Sequence, residues 1–126
     1  GVELILASGT DQDDVEKEAT LLGYGGCFSS FHGSQGDEIG DAKRLVMQRL
    51  LAGRQTLAGV VVFGDGSVEI AEGRHAGAVT VGIANDEDIP GKLCSDKRRR
   101  LIRAGADWIV PDFTDAAQLI EAIHGN

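Results

Sequence analysis

The chain has 126 residues, enough for one domain that buries roughly two-thirds of the surface its unfolded form exposes. It is 42% hydrophobic, 25% charged and 5% aromatic; no apolar run approaches the ~20 residues of a membrane span, and no signal-peptide pattern is visible. Twelve basic against 20 acidic residues give a net charge of −8, which disfavours nucleic acid and anionic membrane as partners.

An apolar strand is expected over Val2–Ala7, ending at Ser8-Gly9-Thr10. Acids then crowd positions 11–18, where Val15, Ala19 and Leu22 keep a helical spacing up to Gly23. Thr10 with Asp13 fits a capping box, and acids in a first turn complement the helix dipole. Ser8 and Thr10 are thus accounted for as capping residues. The other reading of Ser8 is a hydroxyl that donates to a phosphate oxygen. A short second strand is expected over Cys27–Phe31, then a polar, Gly-rich loop from His32 to Gly40. Asp41 reads as the N-cap of a helix over Ala42–Leu51, with Ala42, Leu45, Val46 and Leu50 facing inward. Lys43 falls in the first turn of that helix, where a cation is unfavourable to the dipole. Either it is solvated near Asp37, Glu38 and Asp41, or it reaches a bound phosphate.

Leu57–Ile70 reads LAGVVVFGDGSVEI. The run Val60-Val61-Val62-Phe63 suits a central strand of a parallel sheet buried on both faces, and Gly64-Asp65-Gly66 frees the backbone to turn. Asp65 is then at a strand's carboxyl end, where open α/β sheets bind ligands. Glu69, four residues on, falls about one helical turn later on the same side. Two carboxylates beside a phosphate suit Mg2+. The other reading makes Gly-Asp-Gly a plain turn and Glu69 a first-turn acid held by the dipole. Gly64-x-Gly66 is followed by Glu69 at the sixth position rather than glycine, which speaks against dinucleotide binding.

Beyond it, a helix is expected over Ser67–Arg74, a strand over Ala78–Ile83, and a polar loop over Asn85–Lys92. A basic helix over Ser95–Ala104 follows, its Lys97-Arg98-Arg99-Arg100 and Arg103 read as a solvated face. Last come a strand over Trp108–Val110 and a helix over Asp115–His124, with Ala116, Leu119, Ile120 and Ile123 at core spacing. Strands alternating with helices at these distances make βαβ units with right-handed crossovers. Cys27 and Cys94 have no metal or redox spacing and read as reduced thiols of a cytoplasmic protein. His32, His75 and His124 share no ligand spacing, so zinc has little support.

Ser8 after a strand, Lys43 opening a helix, and Gly64-Asp65 with Glu69 follow one another in a definite order. That order, with LILASGTD, GDGSVEI and the tail RLIRAGADWIVPDF, resembles the haloacid dehalogenase-like hydrolase superfamily over essentially the whole chain. The resemblance implies a three-layer α/β/α Rossmann-like domain, residues 1–126, with a mostly parallel sheet of about five strands. It further implies phosphoryl transfer from a small phosphorylated substrate. Ser8, with Gly9, binds the phosphoryl group, Lys43 neutralises it, Asp65 holds Mg2+, and Glu69 stands where a second acid, more often aspartate, is usual. These roles agree with the chemistry, since phosphoryl transfer is mostly positioning and charge stabilisation.

The family's first motif, an Asp-x-Asp at the end of a strand, is absent ahead of Ser8. Asp11-Gln12-Asp13 has the letters but follows Ser8 in an acidic helix start, so the nucleophile is not carried onto it. The sequence therefore looks like the carboxyl-terminal part of a phosphatase core, without the first, central strand and without a cap domain. Such a chain is expected to hydrolyse phosphate esters poorly or not at all; the alternative is a non-catalytic phosphate-binding or regulatory domain of a larger protein. Ser8, Lys43 and Asp65 are expected to converge on one pocket. The strands at Val2–Ala7 and Val60–Phe63 are expected to pair with each other or, through their unpaired edges, with another copy.

Overall fold

The computed structural model describes residues 2–36 and 41–124. Asp37 and Glu38, expected near Lys43, and the end of the loop at Gly40 lie outside the described residues. The chain divides into two compact units, residues 1–58 and 59–126, each built from parallel strands and crossover helices.

The first unit runs β1 (Ile5–Asp11), α1 (Gln12–Leu21), β2 (Ser30–Ser34), α2 (Ala42–Ala52). β1 pairs in parallel with β2, and the register passes from Ala7↔His32 to Asp11↔Ser34. Ser8, Gly9 and Thr10 therefore bulge out of β1 opposite Gly33 alone. The amide of Gln12 takes up the interrupted ladder: its Nε2 donates to the Phe31 carbonyl (2.9 Å), and its Oε1 accepts from the Gly33 N–H (2.7 Å). β1 thus runs on through the expected turn, three residues past Val2–Ala7 at its start and four at its end. β2 is likewise displaced from Cys27–Phe31. The capping box does not form: Asp11, not Thr10, is the N-cap of α1 and makes no side-chain cap bond. Asp41 is the N-cap of α2 as expected, but by position only, its carboxylate pairing with Arg44 at 3.4 Å.

α1 buries Val15 and Ala19, and α2 buries Val46, Met47 and Leu51. Leu45, expected inward, is exposed, because the buried stripe is rotated by one residue toward Met47. Leu22 is exposed because the helix ends before it, at Leu21.

The second unit runs β3 (Val61–Gly64), α3 (Ser67–Ala76), β4 (Val79–Ile83), α4 (Ser95–Ala104), β5 (Trp108–Val110), α5 (Ala116–His124). Its sheet has the order β3-β4-β5, with both pairings parallel. On one face Ile70 of α3 and Leu101 of α4 pack with Ala84 and Ile109. On the other, Leu119 and Ile123 of α5 cover Val61, Val81, Ile83, Trp108 and Val110. This is a three-layer α/β/α arrangement. Ile120, expected in the core, faces outward.

Among the described residues the chain is thus α/β with five strands, all paired in parallel, shared between a two-stranded and a three-stranded sheet. β1 and β3 belong to different sheets, so the expected direct pairing between them is not formed. Nor is β3 the central strand of its sheet: it is an edge strand, and Phe63 is 38% exposed. An apolar β-branched run reads alike in either place, because the residues that would reveal its neighbours are remote in sequence. No helix among the described residues is long and apolar enough to cross a membrane.

Candidate functional site

In the first unit the bulge meets the start of α2. A Cβ placed on Gly9 would lie 3.3 Å from both the Cβ and the backbone N of Lys43. The Ser8-Gly9-Thr10 backbone therefore packs directly on the first turn of α2, whose N–H groups have no partner within the helix. That turn contains no acid; Arg44 is paired with the N-cap Asp41, and Lys43 brings a cation to the dipole's positive end. Within the bulge, the Ser8 hydroxyl accepts a hydrogen bond from the Thr10 N–H at 3.2 Å. Ser8 thus braces its own loop rather than capping α1. Two of the residues singled out from sequence, Gly9 and Lys43, adjoin. His32, on β2, bonds the Ser30 hydroxyl at 3.0 Å.

In the second unit Asp65 is exposed just beyond the carboxyl end of β3. The two glycines around it are required by Glu69. A Cβ on Gly64 would fall 2.2 Å from Glu69 Cγ, and one on Gly66 would fall 2.5 Å from Glu69 Oε1. The Glu69 side chain therefore folds back over the Gly-Asp-Gly turn, 7% exposed. It is also the third residue of α3, the position from which a capping-box acid reaches back.

The other two strands of this sheet end near acids that sequence reasoning passed over. Asp86, after β4, accepts from the N–H groups of Asp88 (2.9 Å) and Ile89 (3.0 Å), which hold its carboxyl below the ordinary 3.8. Asp112, after β5, is lowered from 3.8 by the hydroxyl and N–H of Thr114, the N–H lying 2.8 Å away. Both are spent on shaping their loops. Their only sequence signals are an acid followed two residues later by a turn residue, which is common. Lys97 departs from the solvated face expected of it: its stem is largely buried and its Nζ donates to Asn85 (3.0 Å) and Glu87 (3.5 Å), tying α4 to the loop after β4. Arg98, Arg99, Arg100 and Arg103 are exposed as expected, Arg99 paired with Asp96.

Among the described residues no group of three or more His, Cys, Asp or Glu side chains gathers into a metal cage. Mg2+ does not need one, since it keeps several waters and binds through one or two carboxylates with substrate oxygens. Asp65 and Glu69 offer hard oxygen donors on one glycine turn, a donor set that fits this ion.

Two solved structures share this architecture. One is a haloacid dehalogenase-like family hydrolase from Streptococcus pneumoniae, with a TM-score of 0.70, 16% identity, and 94% of this chain matched to 52% of that one. The other is a haloacid dehalogenase-like protein of unknown function from Agrobacterium tumefaciens, with a TM-score of 0.72, 20% identity, and 94% of this chain matched to 53% of that one. The fold is haloacid dehalogenase-like. The chain spans about half the length of these two neighbours. No family model and no curated protein sequence matches it. The sequence resemblance drawn from LILASGTD, GDGSVEI and RLIRAGADWIVPDF thus points to the same fold as the structural likeness.

Proposed function

We propose that this chain is a haloacid dehalogenase-like phosphatase domain for a small phosphorylated metabolite, dependent on Mg2+, and that on its own it turns substrate over slowly or not at all. The observation that carries this reading is the seating of Gly9 on Lys43, which stacks a bulged backbone, a helix N-terminus and a lysine. All three are chemistry for an anion. Ser8 and Gly9 donate to phosphate oxygens, and Lys43 offsets their charge. Asp65, with Glu69, holds the metal. Mg2+ when bound supplies charge neutralisation and orientation of the phosphoryl group.

Poor turnover follows from the lack, among the described residues, of an activated nucleophile. Asp11 ends β1 and caps α1, so it lies on the strand rather than beyond it as the sequence pattern suggests; it is exposed, as is Asp13. Neither is held by the surroundings that ready a carboxylate for attack. This same observation favours the second reading, a domain that binds phosphate without catalysis. The exposed Cys27 and half-buried Cys94 are free thiols, which suits a reducing compartment.

Isothermal titration with inorganic phosphate and Mg2+, beside an assay with a chromogenic phosphate monoester, tests the reading. Phosphate is expected to bind and to be weakened by Lys43→Ala; Mg2+ is expected to be weakened by Asp65→Asn; turnover is expected near background. Absence of phosphate binding overturns the reading. Robust turnover abolished by Asp11→Asn would make Asp11 the nucleophile and overturn the expected inactivity. Binding with no turnover at all selects the non-catalytic version.

A further inference from the structure

α4 carries five of the chain's 12 basic residues and one of its 20 acids. Leu101 anchors it, 1% exposed in a cluster with Ile70, Ala84 and Ile109. The helix packs on α3, β4 and β5 and, among the described residues, makes no contact with β3. A further strand beside β3 would therefore leave the outward face of α4 open. That face holds Arg98, Arg99, Arg100, Ile102 and Arg103, all exposed.

Helical spacing gathers these side chains into one patch. Residues three and four apart adjoin on a helix surface, so Arg99 and Arg100 both lie beside Arg103, and Ile102 lies beside Arg98 and Arg99. Like charges at those spacings oppose helix formation. Asp96 offsets Arg99, but among the described residues no acid pairs with Arg98, Arg100 or Arg103. In their midst stands Ile102, 47% exposed. Lysine would serve solvation as well as arginine does, yet the one lysine of this helix, Lys97, is turned to Asn85 and Glu87 instead.

We propose that the outward face of α4 docks an acidic segment of a partner protein, with carboxylates on the arginines and an apolar side chain on Ile102. The planar guanidinium meets a carboxylate through two parallel hydrogen bonds, and arginine is the cation enriched at protein interfaces. Ten residues make the helix about 15 Å long, which an extended segment of about five residues spans. That length chooses between anions. Nucleic acid or an anionic bilayer carries charge far beyond it, and there meets the acids that give the chain its net charge of −8; a short acidic segment does not. An exposed isoleucine among arginines likewise suits an apolar protein side chain and offers a phosphate nothing. None of these residues belongs to the proposed phosphate or Mg2+ site, so loss of that reading leaves the surface intact.

Fluorescence anisotropy of the full chain with a labelled peptide of glutamate and leucine tests the proposal. Saturable binding is expected, weakened at least about tenfold as salt rises from about 0.05 to about 0.5 M. The double reversal Arg98→Glu, Arg103→Glu is expected to weaken it at least about tenfold, and Ile102→Ser about threefold. Arg98→Lys with Arg103→Lys keeps the charge and loses the fork, and is expected to fall between the parent and the double reversal. Arg54→Glu reverses a cation of the first unit and leaves binding unchanged. Should the double reversal fail to fold, the lysine variant decides. No saturable binding below about 1 mM peptide, binding indifferent to salt, to the arginine changes or to Ile102→Ser, equal weakening by Arg54→Glu, or tighter binding to duplex DNA or phosphatidylserine vesicles each overturn the proposal.

Discussion

Glu69 occupies the space that a side chain at Gly64 would need, its Cγ lying 2.2 Å from where a Cβ would stand. Two roles for Glu69 share this geometry, a metal ligand and a helix cap, and chemistry separates them. Glutamine caps as well as glutamate does, but it brings no charge to a cation. Glu69→Gln is therefore expected to leave the thermal midpoint nearly unchanged while lowering Mg2+ affinity at least about tenfold. Gly64→Ala, which drives the Glu69 side chain off the turn, is expected to lower both, the stability by about 1–3 kcal/mol. Titration calorimetry and thermal melts of the two variants check this. Unaltered Mg2+ affinity in Glu69→Gln would leave only the capping role.

Gly33 supports the phosphate half of the reading from a distance. A Cβ there would lie 2.6 Å from the Thr10 carbonyl oxygen and 2.7 Å from Gln12 Cα. Both are backbone atoms that no rotamer change can move aside. Gly33→Ala is expected to push the Ser8-Gly9-Thr10 bulge off β2, costing about 2–3 kcal/mol and weakening phosphate binding with it. Gln12→Ala leaves the Gly33 N–H and the Phe31 carbonyl without their bridge, and a loss of about 1–3 kcal/mol is expected. Chemical denaturation of both variants gives the comparison; a Gly33→Ala chain as stable as the parent would mean that the bulge is not pinned there.

The bounds of α4 and β5 could be read from sequence because the cues there are local. Gly105 closes α4 in the left-handed conformation at φ 101°, and Trp108-Ile109-Val110 stands between an acid and a proline. The displacement of β1 could not be read, because what extends it past Ala7 is a side-chain amide reaching 19 and 21 residues along the chain. Asp65 stood out at a strand end, but whether β3 is central or an edge depends on which strands it meets. The pinning of Glu69 by Gly64 and Gly66 was present in the sequence as GDG followed by E. The helix start at Ser67 was read from the sequence and is observed; how far the Glu69 side chain folds back over the turn depends on its rotamer, which no spacing encodes. Asp86 and Asp112 lacked even that, having no periodic pattern around them.

Those two acids set an expected response to pH. Asp86 is held below 3.8 chiefly by the N–H of Asp88, then that of Ile89, aided by the charges of Lys92 and Lys97; Asp112 is held below 3.8 by the hydroxyl and N–H of Thr114. A carboxyl whose folded pKa lies below its unfolded value stabilises the fold fully above the unfolded value and loses that contribution as pH falls through the folded one. These groups therefore leave stability flat from neutrality down to the carboxylate range and lower it below 3.8. Asparagine keeps the accepting oxygen and removes the charge, so the Asp86→Asn, Asp112→Asn double variant is expected to show a shallower acid limb. Thermal midpoints measured against pH check it, and an acid limb of unchanged slope would assign the acid sensitivity to other groups.

Asp107 and Thr80 fasten the opposite, amino end of the second unit's sheet, and magnitudes decide which of their bonds matters. Asp107 Oδ2 accepts from the Thr80 N–H (2.9 Å), Asp107 N–H donates to the Thr80 hydroxyl oxygen (3.1 Å), and that hydroxyl can donate in turn to the Gly105 carbonyl (3.1 Å). Thr80 is fully buried. Asp107 Oδ1 also meets Arg74 at 2.8 Å, but the Arg74 side chain is 61% exposed, and such a pair is worth about 0–1 kcal/mol. Removing the acceptor of a buried N–H costs about 1–3 kcal/mol by contrast. Asp107→Ala is therefore expected to destabilise by about 2–3 kcal/mol, and Asp107→Asn, which keeps one oxygen for Thr80, by clearly less. Arg74→Ala should cost no more than about 1 kcal/mol. Denaturant midpoints for the three variants rank them, and an Arg74→Ala loss as large as that of Asp107→Ala would show that the ion pair, not the buried N–H, holds this end of the sheet.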